Sequence, residues 1–158
     1  MKRLILTGFV LLTALFSLHA QSPMLKAYYE VKEALVNADA GNASIKADEF
    51  VKTLNSMDMK TIPADRQNAV LIIQIKLIAD AGRIVAAKDI DKQRENFANL
   101  SLSLYSLAKL ARLSNQPVYE AYCPMKKMYW LSSEKSIRNP YYGRMMLTCG
   151  NITETINP

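Results

Sequence analysis

The sequence predicts an all-α protein: an antiparallel, up-down-up-down four-helix bundle with an irregular C-terminal extension packed on it. Three observations lead there. Apolar residues recur at alternating intervals of three and four through four successive segments between about residues 24 and 114. Turn-forming residues separate those segments. Beyond Val118 the helical period disappears, and aromatic residues, prolines and glycines take over.

Met24, Tyr28, Val31, Leu35 and Ala38 mark one face of a first helix. Asp39-Ala40-Gly41-Asn42 interrupts it with turn formers. Ala43, Ala47, Phe50, Leu54 and Met57 repeat the spacing, so a second helix follows and doubles back on the first. Asp58 to Ile62 connects to a third helix over about Pro63 to Ala87, with Pro63 in its first turn, where a missing N–H removes no helical bond. Val70, Leu71, Ile72, Ile73, Ile75, Leu77, Ile78, Ile84 and Val85 make this helix apolar around most of its circumference, with Lys76, Asp80 and Arg83 as a narrow polar stripe. A helix of that kind is expected at the centre of a bundle. Asp89 caps a fourth helix, whose seam is Phe97, Leu100, Leu104, Leu107 and Ala111 and which ends before Ser114-Asn115-Gln116-Pro117. Ser101, Ser103 and Ser106 either face solvent or bond back to helix carbonyls.

The segment from Val118 to Pro158 reads as a side-chain-rich extension without strand alternation. It carries Tyr119, Tyr122, Tyr129, Trp130, Tyr141 and Tyr142, a turn at Asn139-Pro140 with Gly143, and a single helical turn capped by Ser132 or Ser133. Arg138 is placed to tie it to bundle carboxylates.

At the other end, Lys2-Arg3 precedes an apolar run from Leu4 to about Leu18 and then Ala20, the pattern of a secretory signal peptide over residues 1–20. The run is short for a membrane span of about 20 residues, and Lys76, Asp80 and Arg83 break the next most apolar stretch. The expectation is an exported protein, periplasmic or secreted, with a single helical domain over 21–158 and no stable membrane span after signal removal. Loss of Lys2 and Arg3 takes the 20 basic residues to 18 against 14 acidic ones, a modest excess with no basic cluster interleaved with aromatics. Nucleic acid is not an expected partner.

Cleavage would also remove His19, the one histidine. Without imidazole, Ser-His-Asp and Cys-His catalysis are excluded, and no Cys-x-x-Cys or glycine-rich phosphate loop is present. The expectation is a protein that is not an enzyme. The soft donors gather in the tail: Tyr122-Cys123-Pro124-Met125 and Met145-Met146-Leu147-Thr148-Cys149-Gly150 contain both cysteines. Thiolate and thioether suit monovalent copper or silver. Cys123, Met125, Met146 and Cys149 are the candidate ligands, with Met128 and Met145 as additional sulfurs and Trp130 as a ring shielding the cation. The alternative is a Cys123–Cys149 disulfide. Closing that 26-residue separation would contribute roughly 3.5 kcal/mol by chain entropy and hold the tail of a non-metal protein-interaction module.

Asp89-Ile90-x-x-Gln93-Arg94-x-x-Phe97-x-x-Leu100-Ser101, Tyr105, Tyr119-x-x-Tyr122-Cys123-Pro124-Met125, Trp130-Leu131-Ser132 and Ile137-Arg138-Asn139-Pro140-Tyr141-Tyr142-Gly143-x-Met145-Met146-Leu147-Thr148-Cys149-Gly150 together resemble a bacterial family. It is a small periplasmic helical domain of unknown function, also found fused to the C-terminus of adaptor (membrane-fusion) subunits of heavy-metal efflux systems. The resemblance covers about Tyr28 to Ile156. It implies a metal-efflux context with copper or silver as cargo, and an efflux adaptor or another periplasmic protein as partner.

Overall fold

The computed structural model describes residues 22–158. The expected signal segment, residues 1–20, lies outside the described residues. Four helices come first: α1 (Pro23–Val36), α2 (Ala40–Asn55), α3 (Ala64–Ala86) and α4 (Ile90–Leu110). A 3₁₀ turn, Met59–Thr61, sits between α2 and α3. Among the described residues no helix is long and apolar enough to cross a membrane.

α1, α2 and α4 each start where a side chain satisfies an orphan N–H group. Ser22 accepts from the Leu25 N–H, Asp39 from Asn42 and Asp89 from Lys92. Pro63 directly precedes α3. The turn-like Gly41 and Asn42 lie inside the first turn of α2 because Asp39 caps it and Ala38 supplies the break with a φ of 56°.

Neighbouring helices run antiparallel. The Gln74 amide donates to the Leu54 carbonyl and Ser44 to Val85, tying α3 to α2. Ser103 donates to Asp80, and Arg66 to the Leu110 carbonyl, tying α4 to α3. The core is filled by Tyr28, Leu35, Phe50, Leu54, Leu77, Phe97 and Leu104, all buried, with Tyr28 stacked on Phe97 at 5.0 Å between ring centroids.

The expectation of a central α3 is corrected. α3 packs between α2 and α4 through Val70, Leu77, Ala81 and Ile84, with Ile73 and Ile78 partly buried beside them; Ile72 is 63 % exposed, Ile75 59 % and Leu71 46 %. Asp80, assigned to the polar stripe, is instead buried and receives hydrogen bonds from Arg83 and Ser103. The most enclosed helix is α1, because the C-terminal segment covers the side that α2 and α4 leave open.

That segment overturns the all-α prediction. It is no irregular extension but a three-stranded antiparallel sheet, β1 (Val118–Cys123), β2 (Met128–Ser132) and β3 (Asn151–Ile156), in the order β2-β1-β3. β-branched and aromatic residues favour such a pleated, half-buried surface. In β3, Ile152, Thr153, Glu154, Thr155 and Ile156 alternate between half-buried and exposed, the period of two that the sequence reading did not register. The residues after Ser132 form bends, not the helical turn expected there, and the Ser132 hydroxyl accepts from the Glu134 N–H. Edge strand β2 has its outward Leu131 N–H received by the Tyr28 hydroxyl at 3.0 Å, which joins sheet to bundle and blunts the edge.

Candidate functional site

The site forms where β1 ends. Cys123 is the last residue of β1 and pairs with Met128, the first of β2. Directly opposed residues on antiparallel strands project from the same face, so the Met128 side chain stands beside that of Cys123. Pro124, Met125, Lys126 and Lys127 close the hairpin, with the Lys127 N–H on the Cys123 carbonyl at 2.8 Å and Lys127 at a φ of 56°.

Cys149 arrives from the opposite direction, after a second 3₁₀ turn, Gly143–Met146. Its N–H bonds the Met146 carbonyl at 3.0 Å, and its sulfur stands 3.9 Å from that of Cys123. Both thiols are free; Cys123 is fully buried and Cys149 half-buried. Burial and the neighbouring Cys123 sulfur push the Cys149 thiol above its ordinary value, while the Met125 N–H pulls the other way. The Met125 backbone is therefore at the second sulfur.

Four polar anchors position this meeting point. Asn139, completely buried, is the hub. Its amide donates to the Cys149 carbonyl at 2.7 Å, its side-chain oxygen accepts from the Tyr141 and Tyr142 N–H groups, and its own N–H reaches Leu147. Arg94 of α4, also buried, bridges the Pro140 and Leu35 carbonyls. Arg138 forks onto Glu33 of α1 at 3.1 and 2.6 Å, the tie to a bundle carboxylate that the sequence predicts. Tyr105 and Lys109 of α4 both donate to Glu154 of β3.

Two glycines permit the approach. Gly143 has a φ of 56°, and a Cβ there would lie 2.7 Å from the Val36 carbonyl oxygen. A Cβ on Gly150 would lie 2.8 Å from the Trp130 ring and 2.9 Å from the Tyr122 carbonyl oxygen. Trp130 is thus buried under the chain just after Cys149 and packs edge-on against Tyr141, whose hydroxyl donates to the Tyr129 carbonyl.

Of the residues singled out in the sequence, the fold brings Cys123, Cys149, Met128 and the Met125 backbone together. The Met125 side chain is 62 % exposed and that of Met145 78 % exposed, while Met146 is linked to Cys149 through its carbonyl. Sequence reasoning ranked Met128 behind Met125 and Met146, because only strand register reveals it as the neighbour of Cys123. It also read Asn139 as a turn former and missed its role as the hub. Among the described residues, no three His, Cys, Asp or Glu side chains gather at metal-binding spacing.

A family model described as Protein of unknown function (DUF3347) matches residues 24–116. The chain belongs to this family. The matched stretch spans α1 to α4 and stops just ahead of β1, so the sheet and both cysteines follow the DUF3347 segment. No curated protein and no solved structure matches the chain.

Proposed function

We propose that this DUF3347 protein is an exported, non-catalytic carrier that holds one monovalent copper or silver ion between Cys123 and Cys149. The observation that carries the reading is the 3.9 Å separation of the two sulfurs. Two sulfurs each about 2.3 Å from one ion, at tetrahedral to trigonal angles, stand about 3.8–4.0 Å apart. The pair therefore has the span of a chelate before any ion arrives. Soft thiolate donors select monovalent copper or silver, and the Met128 thioether beside Cys123 supplies a third soft donor. Trp130, buried next to the site, keeps water from one side.

The same reading gives the protein its setting. Its N-terminal pattern is that of an exported chain, and the tail motifs resemble domains fused to heavy-metal efflux adaptors. Exchange between soft sulfurs would let it pass the ion to such an adaptor or to another periplasmic protein. Cell fractionation tests the location: recovery in the periplasm or medium supports it, and retention in the cytosol contradicts it.

Native mass spectrometry of the reduced protein, titrated with copper(I) or silver(I), tests the site. One bound equivalent is expected, lost in Cys149→Ala. No uptake, or uptake that survives loss of both cysteines, contradicts it.

One observation favours a second reading. The two sulfurs are mutual nearest partners at the junction where the tail closes on itself, so oxidation would staple Cys123 to Cys149 after a small approach. Thiols that resist alkylation until a reductant is added would mark that form as the native one.

A further inference from the structure

The two segments that carry the sulfurs also carry the exposed methionines of the tail. The Met125 N–H reaches the Cys149 sulfur, and the Met146 carbonyl accepts from the Cys149 N–H, so both residues adjoin the half-buried thiol. Met125, Met145 and Met146 are 62, 78 and 39 % exposed, whereas Met128 is packed against the core. Flexible, polarisable methionine side chains left in water suit an interface, because they adapt to the surface that covers them.

Charge gives the partner its sign. Lys126, Lys127 and Arg144 are exposed, and among the described residues none of the three is paired with a carboxylate. Lys126 lies over the Tyr142 ring at 5.2 Å, and the Tyr142 carbonyl accepts from the Met145 N–H, so hairpin and 3₁₀ turn present their cations on one patch. Asp91, which borders Gly143 through Arg94, is already taken by Arg94 at 3.0 Å. Glu120 and Glu154 face each other in mid-strand, away from the hairpin, and Glu154 is held by Tyr105 and Lys109. Thioethers inside an unpaired basic rim fit an acidic surface with apolar side chains between its carboxylates.

We infer that this patch docks an acidic segment of a partner protein, and that the soft ion crosses there. The crossing rests on the proposed function; the docking does not. Charge balance also gives the exchange a direction. With both thiols protonated the patch carries only the charge of its cations, whereas two thiolates around one monovalent ion add a surplus negative charge. An acidic donor therefore docks better on the empty protein than on the loaded one, and leaves once the ion has crossed.

Fluorescence anisotropy of a dye-labelled peptide of Asp, Glu and Leu, which offers no soft donor, tests the docking on the reduced, metal-free protein. Binding is expected to weaken as salt rises and to be about tenfold or more tighter than for a counterpart with Lys in place of the acids. Lys126→Glu combined with Arg144→Glu is expected to weaken it about tenfold or more. Lys60→Glu combined with Lys76→Glu makes the same change in net charge at exposed lysines of the Met59–Thr61 turn and of α3, and is expected to alter binding by less than about twofold. Circular dichroism checks that both double variants keep their helices. One equivalent of silver(I) is expected to weaken the peptide a few-fold, and unchanged or tighter binding on loading would overturn the direction of exchange. No salt-sensitive binding by the wild type, equal binding of the Lys counterpart, or equal loss in the two double variants would overturn the docking surface. A peptide that docks on a protein that takes up no silver(I) would overturn the crossing and leave the docking surface supported.

Discussion

The helices and the C-terminal sheet are held by different physics. In the bundle, stability is spread over a repeated apolar face: Leu35, Phe50, Leu54, Leu77, Phe97 and Leu104 each bury a full side chain, and loss of any one leaves the others in place. The tail shares that core through Val118, Ala121, Trp130, Leu131 and Tyr141, and adds to it a few polar and steric points, among them Asn139, Arg94, Gly143 and the Arg138–Glu33 fork. Distributed burial makes a scaffold tolerant of change. Concentrated support makes a loop structure exact at one place, and here that place is the pair of cysteine sulfurs.

This contrast is broken most severely at Asn139. Replacing it by Ala orphans two buried N–H groups and the Cys149 carbonyl, at about 3 kcal/mol by the usual penalty for unsatisfied buried groups. Hydrogen exchange is expected to rise across β1–β3 while α2 and α3 keep their protection. Uniform loss of protection would mean that tail and bundle are one cooperative unit.

Gly143→Ala comes next. The left-handed backbone and the clash with the Val36 carbonyl oxygen are expected to cost about 2 kcal/mol in denaturant titration, whereas Ala at solvent-open Gly82 in mid-helix is expected to stabilise by roughly 0.5–1 kcal/mol. Equal effects at the two glycines would remove the distinction between regions.

Smaller still is Glu33→Gln, about 1 kcal/mol or less because Glu33 and Arg138 are both more than a third exposed. Its value lies in the pH dependence. Burial raises the Glu33 carboxyl, but the hydrogen bonds from Arg138, together with Lys32, outweigh it and hold the group below the ordinary 4.5. Glu154 is lowered in the same sense by the Lys109 and Tyr105 hydrogen bonds. A lowered folded-state value means that the stabilisation is complete above the ordinary carboxylate range and is lost as pH falls through the folded-state values. Tail fluorescence from Trp130 is therefore expected to change in acid below pH 4.5 before helical circular dichroism does, and the order is expected to blur in Glu33→Gln.

These differences also decide what the sequence discloses. Helices announce themselves through long periodic seams, so the four helices and the cap at Asp89 were legible, whereas Asp39, read as a turn former, proves to cap α2. The strands are five or six residues each, and in β1 a bulge at Glu120–Ala121 interrupts the alternation that would identify it. Only Ile152 to Ile156 shows a clean period of two. α3 misleads because it carries two apolar faces; periodicity registers both but does not say which one meets the bundle. The site was half legible: two cysteines in distant blocks suggest a pair, and the fold puts them side by side. Met128 and Asn139 acquire their meaning from register and hydrogen bonding, which no spacing along the chain encodes.

Proton release sharpens the chemical part of the account. Both free thiols must give up a proton to an incoming soft ion, and the Cys149 thiol is raised above its ordinary value, so affinity is expected to climb with pH by up to about a hundredfold per unit. A pH-independent affinity would argue for thioether donors alone.

X-ray absorption at the copper edge of the reduced protein, loaded with one equivalent of copper(I), bears most directly on the sulfur pair. The account predicts a first shell of sulfur only, which collapses in Cys123→Ser. A shell of nitrogen or oxygen, or the same sulfur shell after that substitution, would contradict it.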